Sequence, residues 1–146
     1  MTIKQLSIFI ENKGGTLIQV LELLSKAGIQ IIASTVADTM DYGIYRVLCD
    51  KPTDAYLLLR EHGINVQLAD VMALSIDDQP GMAAHAVRQL SDASVSILYM
   101  YSFLWKGKGV LVMRTEPAER AKEIVLINKI QFPTEKEVWK NNIGYP

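Results

Sequence analysis

The sequence predicts an α+β protein built from two tandem copies of one βαββαβ unit, and three observations carry that prediction. Leu6, Ile8 and Ile10 alternate with Ser7 and Phe9 as in a half-buried strand. Across Glu11-Asn12-Lys13-Gly14-Gly15-Thr16 the pattern becomes helical, with Leu17, Val20, Leu21 and Leu24 on one face. The same switch recurs 66 residues later, across Asp77-Asp78-Gln79-Pro80-Gly81-Met82.

In the first copy, Lys4 to Ile10 is a strand and Thr16 to Ala27 an amphipathic helix that Gly28 stops. Ile29 to Ala37 is β-branched and forms a second strand; the turn-like Asp38-Thr39-Met40-Asp41-Tyr42-Gly43 leads into a third, Ile44 to Cys49, as a hairpin. Pro52-Thr53-Asp54 opens a helix whose stripe is Ala55, Leu58 and Leu59, His62-Gly63 ends it, and Ile64 to Leu68 is a fourth strand.

Adding 66 to these positions returns the same roles. Met72, Leu74 and Ile76 form the strand and Ala83, Ala86, Val87 and Leu90 the helix; Val95, Ile97, Tyr99 and Tyr101 answer Ile29, Ile31, Ala33 and Thr35. Pro117 to Asn128 is the second helix, with Ala121, Ile124 and Val125 matching Ala55, Leu58 and Leu59. Such self-similarity marks a duplication. The expected division is 1–69, 70–132 and a tail of 133–146, in which Val138 and Trp139 fit either docking or fraying.

Each unit matches the split-βαβ, ferredoxin-like arrangement, an antiparallel sheet with two helices on one face and the other face open. Units this small bury a marginal core alone, so the two are expected to pair, either edge to edge into one larger sheet or face to face.

Composition narrows the function. A hydrophobic fraction of 49% with 21% charged residues is that of a globular protein, and a net charge of -1 gives no general attraction to nucleic acid or anionic membranes. Met1 to Ile10 does not read as a secretory signal, no apolar run reaches a membrane span, and the single Cys49 cannot form an internal disulfide. The expected location is the cytoplasm. No catalytic set, metal-ligand spacing or cofactor motif appears: His62 and His85 stand on separate helices, and Gly14-Gly15 is not followed by Lys-Ser or Lys-Thr. His62 reads as a cation near a helix end, His85 as a surface residue and Cys49 as a buried small hydrophobe. The chain is therefore expected not to be an enzyme.

The repeated strand–(Asn/Asp)-x-(Pro/Gly)-Gly–helix turn, Asn12-Lys13-Gly14-Gly15 and Asp78-Gln79-Pro80-Gly81, within βαββαβ units of this length resembles the ACT domain over about residues 3–132. ACT domains are regulatory modules of amino-acid metabolism, and this chain resembles a stand-alone tandem pair. The resemblance implies an amino acid held between two side-by-side units, against the glycine turn of one and the start of the second strand of the other. By position it implies Asn12, Gly14, Gly15, Thr16, Leu17 and Gln30 from the first unit. From the second unit it implies Asp78, Gly81 and Ser96. Gly14 departs from the usual proline, which leaves that turn looser, whereas Gly15 is kept.

The residues themselves leave alternatives. N–H groups at a helix start suit the carboxylate of an amino acid and an amide oxygen suits its ammonium, so Asn12 fits a ligand contact and a capping or Asx-turn residue equally. Asp78 reads first as a cap, because a carboxylate there repels the ligand's own. Asp38, Thr39, Asp41 and Tyr42 are turn residues by default, or part of a loop over the ligand. Tyr99 and Tyr101, taken to share a face with Ile97, pack between elements or wall the pocket. Trp105-Lys106-Gly107-Lys108-Gly109 is a hairpin turn.

The expectation is thus a non-catalytic regulatory protein, a homodimer without a cofactor, that binds an amino acid and acts in trans on an enzyme of amino-acid metabolism. The alternative is a structural or protein-interaction module with degenerate sites. Single-stranded nucleic-acid binding is disfavoured, because Ile44–Cys49 and Val110–Thr115 lack the aromatic and basic run it needs.

Overall fold

The computed structural model describes residues 1–11, 15–38 and 42–142. Its elements are β1 (Thr2–Glu11), α1 (Thr16–Lys26), β2 (Ile31–Asp38), β3 (Tyr42–Cys49), α2 (Pro52–Glu61) and β4 (Val66–Asp77), then α3 (Met82–Asp92), β5 (Ser96–Trp105), β6 (Lys108–Glu116), α4 (Ala118–Ile127) and α5 (Glu135–Asn142). The chain divides into a first unit, Lys4–Asp70, and a second made of Val71 onward together with Met1–Ile3. Both are α+β and ferredoxin-like, as the periodicities predict.

In the first unit β3 lies between β2 and β1, antiparallel to both, with Leu6 opposite Val47, Ile8 opposite Tyr45 and Ile10 opposite Gly43. These alternate residues put one sheet face against the helices. Val20 and Leu24 of α1 and Ala55 and Leu59 of α2 complete a buried cluster with Leu6, Ile8, Val47 and Cys49. A large aliphatic side chain buried there stabilises the fold by ~1.5–3 kcal/mol.

The second unit repeats this register. β6 lies between β5 and β4, Met72 faces Met113, Leu74 faces Leu111 and Ile76 faces Gly109. Ala86 and Leu90 of α3 with Ala121, Ile124 and Val125 of α4 close its core. The contact between the first strand and the segment after the second helix also recurs: Phe9 N–H donates to the Asn65 carbonyl at 2.9 Å, and Ser75 N–H to the Gln131 carbonyl at 2.8 Å.

Three differences from the expected elements have physical causes. The strands expected at Ile64–Leu68 and Met72–Ile76 are one element, β4, because nothing between them breaks an extended backbone. Each outer strand carries a β-bulge at the same repeat position, Ile31/Ala33 in β2 and Ile97/Tyr99 in β5. A bulge adds one residue and re-aims the side chains beyond it. Ile97 faces Thr115 and packs on the second core, but Tyr101 faces Val112, which alternates with the core residues Leu111 and Met113. Tyr99 and Tyr101 therefore lie on the sheet face opposite to Ile97. That face is not open either, since Val110 and Val112 on it are 0% exposed.

The tail forms α5. Thr134 Oγ1 accepts from Glu137 N–H at 3.1 Å and Glu137 Oε2 from Thr134 N–H at 2.9 Å, a reciprocal capping box, and Val138 is buried. The signature Thr134-x-x-Glu137 stands in the sequence and marks this helix start.

Candidate functional site

The two glycine turns lead into α1 and α3. Gly15 and Gly81 occupy the N-cap positions with φ of 104° and 86°, in the left-handed region, and no side chain among the described residues caps either helix. The first N–H groups of a helix have no partner within it; the Met82 N–H donates to the Gln79 carbonyl at 3.3 Å, and among the described residues no side-chain acceptor caps either start. Asp78 accordingly does not cap α3; it is exposed and lines a cleft beside it. Asn12, Gly14, Thr39 and Asp41 lie outside the described residues.

In the second unit this cleft has a volume of about 360 Å³. Asp77, Asp78 and Gly81 form one wall, and Ser102, Leu104 and Leu111 another. The cleft therefore combines two carboxylates, a hydroxyl and an apolar floor. Leu104 is 69% exposed, as are Leu98 and Met100 in large part, along an outer strand, β5, that carries no charged residue.

In the first unit a cleft of about 400 Å³ opens next to the turn, between the end of β1 and the α2–β4 connection. Glu11, Thr16 and Gln19 border it on one side, and His62 and Asn65 on the other. Phe9 and Tyr42 stand with ring centroids 5.9 Å apart at 56°. Of these residues the sequence pattern singles out Thr16 as a contact and Tyr42 as part of a loop over the ligand. Phe9 and Asn65 carry a subtler signal, because the second copy has Ser75 and Gln131 at the same places.

Gln30 lies at the other end of α1, in a separate cleft of about 330 Å³ with Ser25, Gly28 and Ile31. Its N–H donates to Asp50 Oδ1 at 2.9 Å, its carbonyl accepts from Asp50 N–H at 3.1 Å, and its amide donates to the Ile31 carbonyl at 3.1 Å. Thr16 and Gln30 are separated by the whole of α1, 11 residues or about 16 Å. Ser96 has the matching place in the second unit, exposed at the start of β5 and away from the cleft at Gly81. Leu17 is half-buried against the first core, and Asp38 is exposed at the end of β2 opposite Gly43. Within a unit, then, the residues named from sequence form two sets, one at each end of the first helix. Tyr99 and Tyr101 belong to neither.

The rest of the chemistry is sparse. Among the described residues no group of three or more His, Cys, Asp or Glu is placed to hold a metal ion. No helix among them is long and apolar enough to cross a membrane. Burial pushes the Cys49 thiol up to about 11, against a lowering contact from the Lys51 backbone, so it is not a thiolate near neutrality.

A search of curated proteins returned no match. Among solved structures, protein BT0572 from Bacteroides thetaiotaomicron is similar at 34% identity and a TM-score of 0.89, covering 96% of this chain and 97% of that one. The ligand-free regulatory subunit of aspartate kinase from Thermus thermophilus shares the fold at 18% identity and a TM-score of 0.62, covering 85% and 91%. That from Thermus flavus does so at 17% and 0.57, covering 85% and 90%. The model of the ACT domain pair matches residues 1–141, and with the duplicated units and their two glycine-capped helices this places the chain in the ACT domain pair family.

Proposed function

We propose that this protein is a non-catalytic regulatory protein that binds an amino acid at its glycine turns and acts in trans on an enzyme of amino-acid metabolism. The observation that carries the reading is the pair of helix starts at Gly15 and Gly81, each without a side-chain cap among the described residues and each beside a cleft. Such starts suit a carboxylate, and neighbouring carboxylates and amides suit an ammonium. Asn12, Gly14, Gly15, Thr16 and Leu17 would hold the ligand in one unit and Asp78 and Gly81 in the other, with Gln30, Asp38 and Ser96 as further contacts. Family membership and the regulatory subunits that share the fold support the regulatory part. We place the protein in the cytoplasm as a homodimer, whose association the ligand shifts by its differential affinity for the associated and free forms.

Thermal unfolding against the twenty amino acids at millimolar concentration tests this. A ligand at ~100 times its Kd adds ~2.7 kcal/mol, a shift of several degrees. One amino acid should give that shift and Asn12→Ala should remove it. No shift with any of them would sink the reading.

A second reading, an interaction module with degenerate ligand sites, is favoured by one observation, the uncharged outer strand β5 with Leu98, Met100 and Leu104 exposed. It predicts that Leu104→Lys lowers self-association or partner binding whether or not an amino acid is present.

A further inference from the structure

We infer that the cleft of the first unit is a binding site for a primary ammonium group carried on a flat or branched apolar body, and that the second unit lacks this site. The inference rests on the regulatory reading in taking an amino acid as one source of that group, a simple amine being the other.

The lining of the cleft supplies acceptors and an apolar wall. Glu11 contributes a carboxylate, Asn65 an amide and His62 an imidazole. The His62 ring lies 2.9 Å from the Leu58 carbonyl through Nδ1. A carbonyl only accepts, so Nδ1 carries a proton there. No lysine or arginine lines the cleft among the described residues. The tilted rings of Phe9 and Tyr42 offer apolar area and the negative faces that attract a cation.

The second unit is an internal control. At the positions of Phe9, Tyr42 and Asn65 it has Ser75, Lys108 and Gln131, and Lys108 Nζ donates to Gln131 Oε1 at 3.0 Å. There the chain's own ammonium sits on the side chain that replaces Asn65, and the aromatic pair is gone. The first unit has Tyr42 at the place of that lysine, Asn65 at the place of Gln131 and Phe9 at the place of Ser75. One position thus takes a tethered ammonium in one copy and leaves space beside aromatic rings in the other.

Isothermal titration of the full chain with phenethylamine, L-phenylalanine and 3-phenylpropionate tests this. Phenethylamine should bind and 3-phenylpropionate should not. Binding of L-phenylalanine as well makes an amino acid the source, and its failure to bind makes it an amine. The double variant Tyr42→Lys/Asn65→Gln installs the bridge of the second unit and should abolish binding with little change in unfolding midpoint. The single variant Glu11→Gln, at an exposed residue, should weaken binding roughly tenfold, about the value of one charge-assisted hydrogen bond. Equal binding of 3-phenylpropionate, no binding of phenethylamine, or unchanged binding in both variants would overturn the inference. An amino acid that stabilises the protein equally in the wild type and both variants would leave the regulatory reading standing and remove this one. Phenethylamine binding without any amino-acid shift would do the reverse.

Discussion

Gly109 faces Ile76 across the β4–β6 pair so closely that a Cβ on Gly109 would lie 3.0 Å from Ile76 Cγ1. Gly43 and Ile10 stand in the same relation, also at 3.0 Å, across β1 and β3. Each isoleucine fills the space that a side chain on the opposing strand would take. A side chain at either glycine would have to push the facing isoleucine aside by a few tenths of an ångström.

Gly109→Ala is therefore expected to destabilise the second unit by roughly 1–3 kcal/mol, because the β-branched Ile76 has few rotamers in which to move aside. In an Ile76→Ala background the same change should be nearly neutral. Urea unfolding of the four proteins of that cycle measures the coupling; additive effects would show that the contact is not the cause.

At Gly81 the reason is conformational. A Cβ there would meet nothing within 4 Å, but the backbone has φ of 86°. Gly81→Ala should cost about 1–2 kcal/mol and Gly81→Asn less, since asparagine tolerates the left-handed region. Equal losses for the two variants would indicate that the turn relaxes.

Asp50 holds the entry to β2 through its two bonds with Gln30. Asp50→Ala should cost roughly 1 kcal/mol and accelerate hydrogen exchange of the Gln30 amide, while Asp50→Asn keeps most of both. Unchanged exchange in the alanine variant would rule out the carboxylate as the anchor.

Cys49 should resist alkylation in the folded protein at pH 8 and react at the rate of unfolding. Its thiol is raised from 9.0 to about 11, chiefly by burial. The folded form thus keeps its proton where the unfolded form has lost it. The stability from the neutral thiol is complete below pH 9.0, falls as pH rises and is lost by about 11. Cys49→Ala should flatten this alkaline loss in a pH series of unfolding midpoints.

Much of this architecture is legible in the chain because the signals are local. Val20 and Leu24 fall one helical turn apart whatever packs on them, and Gly15 and Gly81 end up in the conformation that glycine tolerates best. The tail helix is legible too, in Thr134 and Glu137, whose caps close within four residues.

The faces of β2 and β5 and the contents of the clefts are not. Alternation carried on past Ile97 puts Tyr99 beside it, whereas the bulge, set by register against Thr115 and Arg114, turns Tyr99 and Tyr101 to the other face. The contrast between the two clefts likewise depends on residues far apart in the chain, Phe9 with Tyr42 in one unit and Lys108 with Gln131 in the other. Periodicity and backbone preference act over a few residues, so duplication, element type and turn glycines can be read directly from the amino acids. Strand register and cleft lining are long-range pairings, and they exist only once the sheet has formed.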